Sequence, residues 1–128
     1  TVYPSSLNLR KVLQRLKKFE KISDLAEELL IKKKLIPTKG SKISSDHPPI
    51  YPTRVPDKKV ISSDQMRIFE LVSRRFMSTL AKKAIILSVN VKIEISKEIF
   101  LANGLQIVDE GWIYSIINPW ITYITTHI

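Results

Sequence analysis

The sequence contains no cysteine and only two histidines among its 128 residues. Without thiols it can form neither disulfides nor a thiolate metal site, and two imidazoles are too few for the usual zinc or copper centres. We expect no signal peptide and no membrane span. The most apolar stretch, residues 111–128, is too short and is interrupted by Asn118 and Pro119. These absences predict a globular protein of the cytoplasm.

Acidic residues are scarce as well, and the charge is unevenly placed. The chain carries a formal net charge of +9, yet residues 1–83 hold 19 Lys and Arg against 8 Asp and Glu, a balance of +11. Residues 84–128 hold 2 against 4, a balance of −2. This asymmetry predicts one surface for a polyanion and a different role for the second part, although lysines that merely solvate helices would give the same count.

Apolar periodicity predicts three helices in the basic part. The segments with apolar side chains three and four positions apart are residues 6–20, 23–34 and 61–80. Ser23 is the expected N-cap of the second helix. Ser62 and Gln65 stand at the spacing of a capping box, which marks the start of the third helix most clearly.

The apolar period changes from 3.6 to 2 in the last third of the chain. Apolar and polar residues alternate from Leu87 to Ile95, which predicts a half-buried strand. Residues 98–111 then predict a hairpin, with Asn103 and Gly104 in a type I′ turn, and Trp112 begins a further apolar strand.

The predicted fold class is therefore α+β. A basic helical part with three main helices and a proline-rich loop occupies residues 1–83, and a small, incomplete antiparallel β segment follows in residues 84–128. The strands have no helix of their own to cover them, so either the helices or a partner covers their apolar face, or the chain is a piece of a larger protein.

The proline-rich loop carries an unusual set of residues in the segment DHPPIYPTRV, residues 46–55. Each proline fixes its own φ and favours an extended conformation for the residue before it. We therefore expect a stiff connector that holds His47 and Arg54 in fixed directions. Two uses fit this pattern: presentation of the two side chains to a ligand, or a rigid linker.

Four motifs give the chain a resemblance to the middle of a type IA DNA topoisomerase, over residues 1–114. In chain order they are TVYPSSLNLRKVLQRL, DHPPIYPT, RIFELVSRRFMSTL, and a strand followed by FLANG and GW. The resemblance implies that residues 1–83 are part of the helical domain that carries the nucleophilic tyrosine and clamps single-stranded DNA. It assigns residues 84–128 to part of the arched β domain.

The resemblance also implies roles for individual residues. His47 would contact a backbone phosphate beside the scissile bond, and an imidazole can donate to a phosphate oxygen and carry a positive charge there. Three arginines are candidate DNA-backbone contacts, or alternatively solvated or domain-boundary charges: Arg54, Arg74 and Arg75. Tyr3 lacks the Arg-Thr pair that follows the family's nucleophile, so we expect that tyrosine upstream of Thr1 and no catalytic residue in this chain.

For the parent enzyme, the resemblance implies cleavage and rejoining of one DNA strand to change DNA topology. Mg²⁺ would be its cofactor, held by an acidic cluster in another domain, while this chain holds no cofactor and is inactive alone. The expected partners are single-stranded DNA, bound through phosphates, and the other domains of the parent. We expect no membrane contact, a cytoplasmic location at the nucleoid, and self-association through the β segment.

A second hypothesis comes from a different class of protein. Three helices, a late hairpin and a high positive charge would also permit a stand-alone, non-catalytic nucleic-acid-binding protein of winged-helix type.

Overall fold

The computed structural model describes residues 2–41 and 46–116, and its elements confirm the α+β class. In chain order they are α1 (Leu9–Leu16), a 3₁₀ turn (Glu20–Ile22), α2 (Ser23–Ile31), α3 (Ser63–Ser78), β1 (Ile85–Ile95), β2 (Glu98–Asp109) and α4 (Trp112–Ile116). Among these helices, none is both long enough and apolar enough to cross a membrane. The apolar tail, residues 117–128, lies outside the described residues.

Local capping explains where the helices begin. The side chain of Asn8 caps α1, and the predicted capping box of Ser62 and Gln65 is present at the start of α3. The prediction for Ser23 is wrong: it is the first residue of α2, and Ile22 precedes it without a side-chain cap. The 3₁₀ turn runs directly into α2, so the chain is already helical at Ser23.

Within residues 2–41 and 46–116, the hydrophobic core lies among α1, the 3₁₀ turn, α2 and α3 with the residues just after it. Its buried members are Val12, Leu13, Leu16, Phe19, Ile22, Leu25, Ala26, Leu29, Phe76, Met77 and Leu80. Each large side chain of this kind contributes about 1.5–3 kcal/mol through burial. In the described part of the chain, the buried apolar side chains that stabilise the fold thus lie between Val12 and Leu80.

The hairpin turns at a different place from the predicted one. Ser96 and Lys97 link β1 to β2 and have φ of 51° and 71°, the positive values that a type I′ turn requires. Asn103 and Gly104 lie inside β2, opposite β1. The predicted turn is wrong because a turn there would leave most of β1 unpaired, whereas the turn at 96–97 lets both strands pair along their whole length.

The strands also differ from prediction in their burial. Every residue of β1 is exposed, so the strand is not half-buried, although its apolar and polar residues do alternate. No layer within the described residues covers the apolar face. The predicted strand at Trp112 is a helix instead, and α4 packs against α3.

The helical part contacts the hairpin where the segment after α3 lies beside the segment that joins β2 to α4. Lys82 forms an ion pair with Asp109 at 2.8 Å, and the N–H of Gly111 donates to the same carboxylate at 3.0 Å. These two hydrogen bonds hold the pKa of Asp109 below its ordinary value. Gly111 has a φ of +46°, which turns the chain from β2 into α4.

Candidate nucleic-acid interface

The proline-rich loop contains no helix or strand and is fixed to the helical body. Pro52 is buried, and the half-buried Tyr51 packs against the core. From α1, Arg15 Nη1 donates a hydrogen bond to the carbonyl oxygen of Thr53 at 2.7 Å. These contacts leave the loop little freedom, so the side chains it carries keep fixed positions.

An aromatic cluster joins the N-terminal segment to this loop and to α3. The ring of Tyr3 makes edge contacts with Tyr51 and Phe76, at centroid distances of 6.1 and 5.6 Å. Burial raises the pKa of the Tyr3 phenol, against the opposing effects of a hydrogen bond with Thr79 and the charge of Arg75. A phenol with a raised pKa is less ready to form a nucleophilic phenolate, which agrees with a structural role for Tyr3.

These segments enclose a cleft of about 700 Å³. It is lined by the N-terminal segment, the residues that follow α2, the proline-rich loop and the last turns of α3. Three cationic or basic side chains share this lining: Lys39, His47 and Arg75. The hydroxyl-bearing residues Thr38 and Thr79 lie among them. A cleft with this lining can bind an anion through charge and hydrogen bonds.

The structure brings two of the predicted DNA contacts, His47 and Arg75, to this cleft, and both are exposed. His47 Nδ1 lies 3.3 Å from the carbonyl oxygen of Pro48, within hydrogen-bonding distance. An imidazole at this position can donate a hydrogen bond to a phosphate oxygen in the cleft.

The other two candidate arginines lie away from the cleft. Arg74 is buried. Its Nε donates a hydrogen bond to Glu70 Oε1 at 2.9 Å, and its Nη2 donates one to the carbonyl oxygen of Lys21 at 3.2 Å. Its charge is therefore engaged inside the helical body. Arg54 is exposed on the loop just beyond Pro52, and in the described part of the chain it forms no ion pair. The predicted DNA contacts thus divide into two on the cleft and two outside it.

Sequence reasoning missed Lys39 and the two threonines of the cleft. The backbone N–H of Thr38 donates to the carbonyl oxygen of Thr79 at 2.7 Å, which ties the segment after α2 to the end of α3. This contact brings Lys39 to the cleft. It joins positions far apart in the chain and involves only backbone atoms, so no local pattern of side chains could have indicated it.

The cleft does not fit a metal centre. Within residues 2–41 and 46–116, no three His, Asp or Glu side chains come close enough together to hold a metal ion. Mg²⁺ binding by the parent enzyme stays a prediction for other parts of it, and the function proposed below has no step through a metal at this site.

Comparison with protein families identifies the group of proteins to which the chain belongs. The family model described as DNA topoisomerase matches residues 1–120, and the chain therefore belongs to that family. This match confirms the resemblance to type IA DNA topoisomerases, and it favours that hypothesis over a winged-helix protein.

Individual relatives show how much of a longer protein the chain represents. It is 39% identical over 112 residues to DNA topoisomerase 1 of Archaeoglobus fulgidus, covering 88% of this chain and 17% of that protein. It is 34% identical over 112 residues to DNA topoisomerase 1 of Thermoplasma acidophilum, covering 88% and 14%. With DNA topoisomerase 3 of Caenorhabditis elegans it shares 31% over 111 residues, covering 87% and 14%. The chain thus spans between 14% and 17% of these relatives.

Proposed function

We propose that this chain is the part of a type IA topoisomerase that binds single-stranded DNA through its phosphates. The parent enzyme would cleave and rejoin one DNA strand, and its other domains would be the partners of this chain. The observation that carries the proposal is that His47 and Arg75 both line the same cleft in the basic part of the chain. Residues 1–83 would belong to the helical DNA-binding domain and residues 84–128 to the arched β domain.

The three basic side chains of the cleft contribute to phosphate binding in different ways. The guanidinium of Arg75 can donate two parallel hydrogen bonds to one phosphate. Lys39 supplies a flexible point charge, and the imidazole of His47 can donate one hydrogen bond. Because the loop that carries His47 is already held in place, little conformational entropy is lost when the phosphate binds. We assign no catalytic residue to this chain.

Replacement of His47 by alanine should weaken binding of a short single-stranded oligonucleotide by on the order of 1 kcal/mol at about pH 5.5, and by less at about pH 8. The reason is that a cationic imidazole adds charge attraction to the hydrogen bond that it donates to a phosphate, whereas a neutral imidazole offers the hydrogen bond alone. Arg75→Ala should weaken binding at both pH values by about 1.5–3 kcal/mol. Fluorescence anisotropy with a labelled oligonucleotide measures both effects.

Salt dependence identifies the contacts as phosphate contacts. Each contact with a single strand contributes a slope of about −0.7 to the log–log plot of affinity against salt, so Arg75→Ala should make that slope shallower by about this amount. Lys92→Ala, on the hairpin, is the control and should leave affinity and slope unchanged. If His47→Ala binds like the wild-type chain at both pH values, the loop is only a rigid linker and the proposed role of His47 is wrong.

We also predict that the isolated chain self-associates, because the hairpin exposes apolar side chains. One face of β1 carries six exposed apolar side chains: Ile85, Leu87, Val89, Val91, Ile93 and Ile95. An uncovered apolar face of this kind gains free energy when it is buried against a second copy. Sedimentation at several concentrations should show an average mass that rises with concentration, and a constant monomer mass would contradict the prediction.

A further inference from the structure

We infer that the cleft beside His47 and Arg75 also holds a nucleobase of the bound strand, against the apolar side chains of Val2, Pro49 and Ile50. All three of these residues line the cleft. The inference rests on the proposed function and adds a base-binding subsite to the phosphate site. The charged side chains of the cleft contact the phosphate, and the apolar side chains would contact the base.

The exposure of Ile50 is the first observation behind this inference. Its side chain is 82% exposed, although it stands between a proline and the half-buried Tyr51 in an anchored loop. The neighbouring Tyr51 packs its ring against Tyr3, whereas the side chain of Ile50 stays in solvent. Because the loop is held by Pro52 and by the Arg15 hydrogen bond to Thr53, Ile50 stays at the cleft.

The composition of the lining is the second observation. A phosphate alone gains nothing from contact with isoleucine, valine or proline, since it binds through charge and hydrogen bonds. The cleft, at about 700 Å³, is also larger than a phosphate needs and lies within the usual range for small-molecule sites. A ligand that uses the whole lining therefore combines an anionic group with a flat apolar group, as a nucleotide does.

A single strand supplies such a group, because its bases are unpaired and each has an accessible apolar face. In a duplex, the faces of the bases are stacked on one another and cannot enter the cleft. Apolar contact does not distinguish the hydrogen-bonding edges of the bases, so we expect no sequence preference. The subsite would thus favour single strands over duplexes, which phosphate contacts alone do not do.

The test compares two labelled strands of equal length, one intact and one in which every nucleotide is abasic. Both strands carry the same phosphates. The wild-type chain should bind the intact strand on the order of 5-fold more tightly in fluorescence anisotropy. Ile50→Ser should lower affinity for the intact strand by most of that factor and leave affinity for the abasic strand unchanged.

Two control variants separate the subsite from other effects. Ile31→Ser changes the same residue type at equal exposure, 83%, but away from the cleft, and it should bind both strands like the wild-type chain. Arg75→Ala should weaken binding of both strands by the same factor, because the phosphates are common to both. A thermal melt of each variant confirms that the fold is retained.

The outcomes distinguish failure of the subsite from failure of the proposed function. If the wild-type chain binds the two strands equally, or if Ile50→Ser weakens both equally, the base subsite is wrong. The phosphate site still stands in that case, provided that Arg75→Ala weakens both strands. If Arg75→Ala changes neither affinity, the proposed function fails together with the subsite.

Discussion

Replacing Glu70 by alanine should lower the free energy of unfolding by about 3–5 kcal/mol, because it leaves a buried guanidinium without its carboxylate. The side chains of Glu70 and Arg74 are only 9% and 10% exposed, and Arg74 Nε donates to Glu70 Oε1 at 2.9 Å. Arg74 also donates to the carbonyl oxygen of Lys21, so it joins α3 to the 3₁₀ turn. Without Glu70, the charge would stay buried with a single carbonyl partner.

Two further variants identify the unpaired charge as the cause. The double variant Glu70→Leu with Arg74→Leu should recover most of the lost stability, because apolar replacement of a buried ion pair is often neutral or better. Lys21→Ala should cost less than about 1 kcal/mol, since the Lys21 ammonium that pairs with Glu70 at 3.3 Å is exposed. Urea denaturation measures all three. Equal losses for Glu70→Ala and the double variant would contradict this account.

Gly111→Ala should destabilise the fold by about 2–4 kcal/mol through two effects at one position. The φ of +46° lies in the left-handed region, which costs free energy for any residue with a Cβ. A Cβ would also fall close to backbone atoms of Lys83 and Ala84, which cannot move aside as the end of a side chain can. We expect the loss to concentrate where the hairpin and α4 join the helical part.

Gly104→Ala is the matched control. Gly104 lies within β2, and a Cβ there would meet nothing within 4 Å, so the change should stay within about 0.5 kcal/mol. Urea denaturation gives the overall loss for each variant, and amide hydrogen exchange locates it. If both glycines tolerate alanine equally, the close approach of Gly111 to the segment after α3 does not exist in solution.

The sequence by itself determined features that depend on neighbouring residues. The apolar period predicted all three main helices, and the capping box of Ser62 and Gln65 marked the start of α3, because these contacts span at most four positions. The order and spacing of four motifs identified the family. The excess of positive charge in residues 1–83 follows directly from the composition.

Only the tertiary structure decided which parts of these segments meet. Arg74 and Arg75 are adjacent and point about 100° apart on a helix, so the sequence leaves open which one is buried. The packing of α3 against the 3₁₀ turn buries Arg74 and leaves Arg75 on the cleft with His47. Likewise, Asn103 and Gly104 have the better local turn chemistry, but pairing along both strands outweighs it and places the turn at residues 96–97. In each case, contacts between distant segments contribute more free energy than the local preference of a few residues.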